Sequence, residues 1–447
     1  MSILVLPVEV KAREFIPKLF LISRALRRGI CCFIGDKVAV NRFIRYFKNN
    51  IYFHKSINKN DINYIKELKL KVDKYVALDE EANYSITDNS QFTKLLDYRS
   101  SIENVKNVDR IYNWGTFDHH LWKKKYKIFS KKFKITGNPR FDILKKNIYS
   151  LIFKKEILEL KKKYKNFIFI PSSFISSKKK LEKIIKFEKK RISDEKYLKQ
   201  RISARLFEHK LFLEFYKLIV NLSNYYPKFN IVIKPHPTEN AFDWHNKIKN
   251  LKNVHIDINY DLVAYIAASE FVIFNSSTAG IYSLIMRKKT ICYSSLSDKK
   301  SLRSYPNRFG ILCKSFKDIK RVFKYNYNGI YKKQLNLLKK RLCIKKRSSS
   351  DLIIDDLVYN FEQKKNNNIN LFLFRFLSLL FHIKSFITNK IILFKNDKID
   401  INLPMRSMKQ KLGTGINKKE IFSFLDKIKI KEAKVLGFGK NGFLIYR

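Results

Sequence analysis

Glycine and proline are scarce in this sequence, with 12 and 9 residues among 447. Their scarcity excludes collagen-like, glycine-repeat and proline-rich architectures. The five cysteines are too few for a disulfide scaffold in a chain of this length, and none has the spacing of a structural zinc site. We therefore expect no metal site of that kind and a reducing, cytoplasmic compartment.

Acidic residues are also scarce: 39 Asp and Glu stand against 93 Lys and Arg, which gives a formal net charge of +54. Such a balance is typical of partners that are nucleic acids or anionic membranes. The chain is equally rich in Ile, Asn, Phe and Tyr, however, and this joint bias is what an AT-rich genome produces in any protein. The basic residues are spread along the chain without a nucleic-acid motif, so we expect no nucleic-acid partner. Acidic sugars, nucleotides and anionic lipids remain reasonable partners.

The sequence has no uninterrupted apolar run long enough for a clean transmembrane helix. Pro7 and Glu9 interrupt the first apolar stretch, so we expect no signal peptide. The longest candidate, residues 369–394, carries Arg375, and a spanning helix would have to bury that charge in hydrocarbon. Two alternatives remain: an interfacial helix in peripheral contact with the inner membrane, and a helix that packs back across the protein.

Short apolar strands alternate with helices in two successive series, which is typical of βαβ units and parallel sheets. The fold class we expect is α/β, with two Rossmann-like domains that face a cleft and a C-terminal helical extension. The expected domains are residues 1–150, residues 151–345, and an extension of residues 346–447 that ends in a hairpin at Lys440-Asn441-Gly442.

Polar motifs follow two strands of the second series. Lys234-Pro235-His236-Pro237 holds an imidazole between two prolines, where it could donate to a phosphate or protonate a leaving group. An ordinary turn with a surface histidine explains that motif equally well. Ser276-Ser277-Thr278 opens a helix and could bind an anion through hydroxyl and backbone N–H groups, or could simply cap the helix. Because both motifs follow strands of one sheet, a single nucleotide could contact both.

The first series contributes three consecutive carboxylates, Asp79-Glu80-Glu81, directly after a strand. Their mutual repulsion should raise the pKa of at least one of them. A carboxylate with a raised pKa is a candidate general base, whereas a solvated acidic turn is the structural alternative.

Taken in order, these motifs resemble those of a bacterial family of surface carbohydrate biosynthesis proteins, over about residues 1–300. They are also similar to the sialyltransferase, polysialyltransferase and capsular Kdo-transferase group, which are GT-B glycosyltransferases that use CMP-activated acidic sugars. The matching pieces are Pro7–Phe15, Leu78–Glu81, Thr136–Asp142, Lys234–Pro237 and Ser276–Gly280.

The resemblance implies roles for individual residues. The base that deprotonates the acceptor would be Asp79 or Glu80, in an acceptor domain formed by the first series. In the nucleotide-sugar domain, His236 would contact the phosphate and assist departure of the nucleotide. The other residues implied there as phosphate or nucleotide contacts are Lys234, Pro237, Ser276, Ser277 and Thr278. Two departures are that Ala82 follows the acidic residues where the group has glycine, and that the helix after Thr278 lacks the glutamate that often holds the ribose.

Position alone makes several further residues candidate substrate contacts. Glu9, Lys11, Arg13 and Glu14 come after the first strand, where a charged helix start explains them equally well. Asn138 and Arg140 lie near the expected domain crossing, where Arg140 could meet a sugar carboxylate. Adjacent His119 and His120 point different ways and have no evident third ligand, so we expect them in a surface loop rather than in a metal site.

The function that these observations favour is transfer of a CMP-activated acidic sugar to a glycan or lipid-linked glycan acceptor during synthesis of a cell-surface polysaccharide such as a capsule. We expect the nucleotide sugar as a substrate, no cofactor and no metal, because histidine and N–H groups can neutralise the phosphate. The alternatives are a CDP-glycerol-type GT-B phosphotransferase and a non-catalytic, membrane-peripheral assembly protein on the same fold.

Overall fold

The computed structural model of the chain describes residues 2–80, 89–236, 239, 241–296, 304–324, 328–361, 369–395, 412 and 415–447. Its strands are β1 (Ile3–Pro7), β2 (Cys32–Gly35), β3 (Asn50–His54), β4 (Lys74–Leu78), β5 (Arg110–Asn113), β6 (Phe133–Ile135), β7 (Phe167–Pro171), β8 (Asn230–Lys234), β9 (Val254–Ile256), β10 (Phe271–Phe274), β11 (Lys289–Tyr293), β12 (Ile311–Cys313), β13 (Lys434–Phe438) and β14 (Gly442–Tyr446).

Helices connect most of these strands. They are α1 (Lys11–Arg27), α2 (Lys37–Tyr46), α3 (Ile62–Lys69), α4 (Asn89–Arg99), α5 (Ile102–Asn107), α6 (Thr116–Lys125), α7 (Pro139–Asp142), α8 (Lys146–Ile152), α9 (Lys154–Tyr164), α10 (Lys178–Arg191), α11 (Glu195–Tyr225), α12 (Ala241–Ile248), α13 (Leu262–Ala268), α14 (Ala279–Ile285), α15 (Phe316–Lys324), α16 (Asn328–Arg341), α17 (Ser349–Phe361), α18 (Leu371–Lys395) and α19 (Lys418–Lys427). Single 3₁₀ turns span Lys59–Asp61, Lys127–Lys132 and Tyr305–Arg308.

The chain divides into two compact units, each built around its own sheet. The first unit comprises the described residues of Met1–Asn83, Asp88–Ile152 and Leu338–Arg447, and the second those of Phe153–Leu337. The expectation of an α/β fold with two mainly parallel sheets is confirmed.

The sheet of the first unit has eight strands in the order β13-β14-β2-β1-β3-β4-β5-β6. Strands β1 to β6 pair in parallel, and every residue of β1 is buried because helices cover both faces of such a sheet. The predicted C-terminal hairpin is present: β13 and β14 pair antiparallel, and β14 continues onto β2. The last strands of the chain therefore complete the first sheet.

Buried carboxylates attach α17 to the first unit. Asp142 accepts hydrogen bonds from the backbone N–H groups of Ser349 and Ser350, both at 2.8 Å, at the start of this helix. Farther along it, Asp356 pairs with Lys134 at 2.7 Å and accepts from Tyr112 at 3.1 Å. The chain thus returns to the first unit after completing the second.

The sheet of the second unit has six strands in the order β12-β11-β10-β7-β8-β9, and all its strand pairs are parallel. Numbered within the unit, this order reads 6-5-4-1-2-3, which is the Rossmann order. Its core contains aromatic and aliphatic side chains from α11, such as Phe212 and Phe215, against β7, β8 and β10.

Helix α18 covers most of the apolar segment that the sequence places at residues 369–394. Its Phe374 and Leu377 are buried, and Phe374 and Phe381 pack against the ring of Phe438 on β13. None of the helices in the described part of the chain is both long and apolar enough to cross a membrane.

Candidate functional site

The first unit has a topological switch between β1 and β3, because the chain runs outward from β1 to β2 on one side and to β3 on the other. The carboxyl ends of strands at such a switch form the usual ligand-binding crevice of an open α/β sheet. Glu9 follows β1 and Lys55 follows β3, and their side chains form an ion pair of 2.6 Å. Charged groups therefore occupy this edge of the sheet.

A buried ion pair lies directly behind this edge. Glu14 and Lys18 are one turn apart on α1, with their carboxylate and ammonium groups 2.8 Å apart and both side chains at least 95% buried. Lys18 also donates to the carbonyl oxygen of Pro7 at 2.5 Å, and Glu14 accepts from the N–H groups of Glu9 and Val10 at the start of the helix. Burial disfavours ionisation of Glu14, but the charge and hydrogen bond of Lys18 outweigh it and lower the pKa of Glu14 to about 2.

The two carboxylates that the sequence left as alternatives for the base have different surroundings. Asp79 pairs with Arg99 at 3.1 Å, and its backbone carbonyl accepts from the indole of Trp114 at 2.7 Å. Glu80 is buried 4.0 Å from the ammonium group of Lys18, and its Oε2 atom has no hydrogen-bond partner among the residues that the structure describes.

Burial raises the pKa of Glu80, and the negative charge of Glu14 adds to that effect against the opposing charges of Lys18, Arg140 and Arg13. Repulsion within Asp79-Glu80-Glu81, which the sequence predicts as the source of such a shift, is not its largest cause. The largest cause is instead burial, and the neighbouring carboxylate that contributes comes from α1. Glu81 lies outside the described residues.

Two of the candidate substrate contacts lie on α7. Gly137, with φ of +82°, turns the chain from β6 into this helix, a conformation that glycine adopts without strain. The side-chain oxygen of Asn138 then accepts from the N–H of Arg140 at 2.9 Å, while its buried amide nitrogen Nδ2 finds no hydrogen-bond partner among the described residues. Arg140 is itself 95% buried and is one of the charges that act on Glu80.

The remaining candidates on α1 have structural contacts. The ammonium group of Lys11 donates to the carbonyl of Gly415 at 2.6 Å and pairs with Glu420 of α19 at 2.7 Å. Arg13 lies 3.5 Å from the carboxylate of Glu14.

The adjacent histidines of the first unit were expected in a surface loop, and that expectation is wrong. His119 and His120 lie in α6, where the side chain of Asp118 accepts from the N–H of Gly115 and so fixes the start of the helix. The described residues contain no group of three or more His, Cys, Asp and Glu side chains suited to hold a metal ion.

The switch point of the second unit lies between β7 and β10. Three chain segments leave the carboxyl ends of neighbouring strands there: Ser172 follows β7, Pro235 and His236 follow β8, and Asn275 and Ser276 follow β10. The two motifs that the sequence singled out in this half therefore leave the same edge of one sheet.

Glu239 ends the motif that begins at Lys234; it received no role in the sequence analysis, and it organises the turn that carries His236. Its carboxylate accepts hydrogen bonds from the hydroxyl of Ser172 at 2.6 and 2.8 Å and from the N–H of His236 at 2.9 Å. It also accepts from the N–H of Phe174. Burial raises the pKa of Glu239 in spite of these donors. The signal in the sequence was a carboxylate three residues after a histidine held by prolines.

Lys234 and His236 of the histidine motif differ in exposure and in side-chain contacts. His236 is exposed, whereas Lys234 turns its ammonium group toward the loop after β9 and donates to the carbonyls of Ile258 and Tyr260 at 3.3 and 2.9 Å. Burial lowers the pKa of Lys234. Pro237 lies outside the described residues.

Asn307, a second residue that the sequence analysis missed, holds the loop after β10. Ser276 has φ of +53°, and its N–H donates to the side-chain oxygen of Asn307 at 2.5 Å. The amide nitrogen of Asn307 donates in turn to Asn275 Oδ1 at 3.1 Å and to the hydroxyl of Ser276 at 3.2 Å. This network maintains a backbone conformation that serine rarely adopts.

The hydroxyl residues after Ser276 lead into α14. Ser277 accepts from the N–H of Ala279 at 3.3 Å, whereas Thr278 stands at the start of the helix without a side-chain capping bond. The capping explanation offered for this motif therefore applies to Ser277, and the hydroxyl of Thr278 makes no such bond.

No protein-family model matches the sequence, and no curated protein matches it significantly. Solved structures with a similar arrangement include the UDP-GlcNAc 2-epimerase of Methanocaldococcus jannaschii, with 11% identity and a TM-score of 0.46 over 80% of this chain and 99% of that chain. The UDP-GlcNAc 2-epimerase of Neisseria meningitidis shows 12% identity and a TM-score of 0.45 over 80% of this chain and 100% of that one.

The wall teichoic acid polymerase TagF shows 12% identity and a TM-score of 0.44 over 81% of this chain and 90% of that chain. Likeness at this level carries no argument about activity.

Proposed function

We propose that the chain is a GT-B glycosyltransferase of cell-surface polysaccharide synthesis, which transfers an acidic sugar from a CMP-activated donor to a glycan acceptor. The observation that carries the proposal is the contrast between Glu80 and Asp79. A buried carboxylate with a raised pKa stands at a strand end of the first unit, and one of its oxygens has no hydrogen-bond partner in the described part of the chain. The carboxylate beside it is already paired. A general base needs such an oxygen and such a pKa.

The donor nucleotide is assigned to the second unit. Its support is the Rossmann strand order, because ligands of such sheets bind at the carboxyl ends of strands beside the switch point. His236 and the hydroxyl groups of Ser276, Ser277 and Thr278 are the proposed phosphate contacts. Ser172, Glu239 and Asn307 position the loops that carry them.

The proposed chemistry uses this chain's own groups and no cofactor or metal ion. Glu80 accepts the proton of the acceptor hydroxyl while the oxygen of that hydroxyl attacks the anomeric carbon of the donor sugar. The bond between that carbon and the phosphate oxygen breaks, and His236 stabilises the negative charge that develops on the departing nucleotide. Arg140 supplies a positive charge for a sugar carboxylate.

Peripheral contact with the inner membrane is part of the proposal, because such acceptors can be lipid-linked. Its support is the outer face of α18, which exposes large apolar side chains while the opposite face packs on β13. These exposed residues are Leu371, Phe372, Leu373, Phe376, Leu379, Leu380 and Ile383. Arg375, on the same helix, is exposed and can reach anionic headgroups.

Nucleotide titration and turnover of one variant test the transferase. We expect calorimetry to detect CMP binding more strongly than CDP or UMP, and His236→Ala to lower kcat about 10²–10³-fold with the fold intact. His245→Ala, which removes an exposed histidine from α12 of the same unit, is the matched control and should be neutral. Preferential CDP binding would support the phosphotransferase alternative, and normal turnover of His236→Ala would overturn the assigned role.

Vesicle flotation tests the membrane contact separately. Phe376→Ser with Leu379→Ser should abolish flotation with phosphatidylglycerol-rich vesicles, and high salt or alkaline carbonate should release the wild type. Leu158→Ser on α9, which removes a comparably exposed leucine, is the control. Retention after carbonate, or no binding at low salt, would contradict peripheral contact.

A further inference from the structure

The ion pair between Glu14 and Lys18 is buried beside the proposed base and has no part in the transfer as described above. We propose that Lys18, held in place by Glu14, is a positioning residue that sets the pH range in which Glu80 can accept the acceptor's proton. The role of Glu80 as base rests on the proposed function, whereas the interaction among the three side chains rests on their geometry alone.

The contacts of Lys18 fix its ammonium group in one place. A lysine ammonium has three donors, and here one serves the carbonyl of Pro7 and another the carboxylate of Glu14. The nearer oxygen of Glu80 lies 4.0 Å away, within the range of a strong charge interaction but beyond a hydrogen bond. Lys18 can therefore favour the ionised form of Glu80 without occupying the oxygen that must take the proton.

The charge balance explains why Glu14 matters as well. With Glu80 ionised, the three side chains carry a net charge of −1, and after proton transfer they carry zero. Glu14 shares the single positive charge of Lys18, so it weakens the attraction between Lys18 and Glu80 and adds its own repulsion. Within the described residues, Arg13 of the same helix, Arg140 of α7 and Lys55 after β3 also act on this cluster. The titratable imidazole of His54, the last residue of β3, interacts with Lys18.

During transfer, the O–H bond of the acceptor breaks and its proton passes to Glu80. The acceptor oxygen bonds to the anomeric carbon, and the nucleotide leaves with the electron pair of the broken carbon–oxygen bond. Lys18 and Glu14 exchange no proton in this sequence. Their effect is on the fraction of Glu80 that is ionised before the step, and this effect is visible only as a pH dependence.

Two substitutions at one ion pair should therefore act in opposite directions. Lys18→Met removes the favourable charge, so the acid limb of the kcat/KM profile should move to higher pH and cost about tenfold at a pH on that limb. Glu14→Gln releases the full charge of Lys18 toward Glu80 and should move the limb to lower pH. Lys18→Arg should restore most of the wild-type profile.

Arg28→Met is the matched control, because it breaks an ion pair of 2.6 Å with Asp355 just beyond the C-terminal end of the same helix. Its profile should coincide with that of the wild type. Should Lys18→Met fail to fold with an unpaired Glu14, the double variant Lys18→Met with Glu14→Gln removes both charges. The acid limb of its kcat/KM profile should lie at a higher pH than that of the wild type. Limbs that move in the same direction for both single variants would overturn the proposal. Limbs that stay in place would show that these side chains do not set the pH range of transfer.

A measurement without turnover separates this inference from the proposed function. In protein carrying ¹³C-labelled glutamate side chains, the Glu80 carboxyl resonance is the one lost in Glu80→Gln, and its titration can be followed by NMR. We expect the midpoint of this titration to move to higher pH in Lys18→Met and to lower pH in Glu14→Gln. If it moves in this way while the kcat/KM profile does not, the interaction stands and Glu80 is not the base. If it does not move, the inference itself fails.

Discussion

The two units use different physical means to hold polar groups at the carboxyl ends of their strands. In the first, the ammonium group of Lys18 is buried 2.8 Å from the carboxylate of Glu14 and 4.0 Å from that of Glu80. In the second, the loops that carry His236 and Ser276 are held by amide, hydroxyl and backbone groups around Asn307 and the carboxylate of Glu239. Charges in a low-dielectric interior respond strongly to one another's ionisation, whereas the hydrogen bonds of the second unit fix geometry.

This difference predicts the kind of perturbation to which each unit is most sensitive. A change of pH or the loss of one charge should disturb the first unit most, because an uncompensated buried charge is costly. A change of side-chain volume or of backbone conformation should disturb the second unit most. Its loops depend on short contacts and on one serine with positive φ.

The largest expected effect is on the base of the first unit. Glu80→Gln should lower kcat about 10²–10⁴-fold with nucleotide affinity retained, because the amide cannot accept the proton. Asp79→Asn, the matched neighbour, breaks a pairing with Arg99 and should cost far less turnover. Equal losses in both variants would remove the distinction between the two carboxylates, and loss of nucleotide binding in both would place the cluster on the donor side.

The same variant gives a pH test of stability. The folded protein holds the proton of Glu80 more tightly than the unfolded chain does, because burial raises its pKa. The contribution of protonated Glu80 to the free energy of unfolding is therefore fully present below the usual glutamate pKa. It is lost as the pH rises through the raised value. We therefore compare the free energies of unfolding of Glu80→Gln and wild type in urea. The difference should favour the variant more at pH 8 than at pH 4. A constant difference between the two pH values would show that Glu80 titrates normally.

The second expected effect tests tight packing in the second unit. A methyl group on Gly280 of α14 would lie less than 3.0 Å from Cζ of the buried Phe274 ring, so Gly280→Ala should destabilise the protein by about 1–3 kcal/mol. Gly437→Ala in β13 of the first unit is the control, since its methyl group would come no closer than 4.0 Å to its nearest neighbour, Phe443. Urea unfolding of both variants measures the contrast, which similar losses would contradict.

The smallest expected effect concerns the frame around His236. Glu239→Gln replaces a charged acceptor of the His236 N–H by a neutral one, and we expect about a tenfold loss of kcat at pH 8. Ser172→Ala removes one donor to the same carboxylate and serves as the conservative comparison. Normal turnover of Glu239→Gln would mean that this carboxylate only stabilises the turn.

Much of the architecture could be predicted from local sequence. Uniformly apolar strands such as Ile3–Pro7 and Phe271–Phe274 mark a parallel sheet covered on both faces, and the turn at Lys440-Asn441-Gly442 marks the terminal hairpin. The partner of that hairpin could not be predicted, because β14 pairs with a strand about 400 residues earlier. Local pattern carries no information about such distant pairing.

The two α/β series and the placement of His236, Ser276 and the acidic residues at strand ends could be predicted from the sequence, because strand period, helix period and turn chemistry are local properties. The distinction between Glu80 and Asp79 and the interaction of Lys18 with Glu80 arise from tertiary packing, as do the hydrogen bonds of Glu239 and Asn307 to the two loops of the second unit. Burial and charge interactions depend on what surrounds a side chain in space, and residues far apart in sequence supply those surroundings.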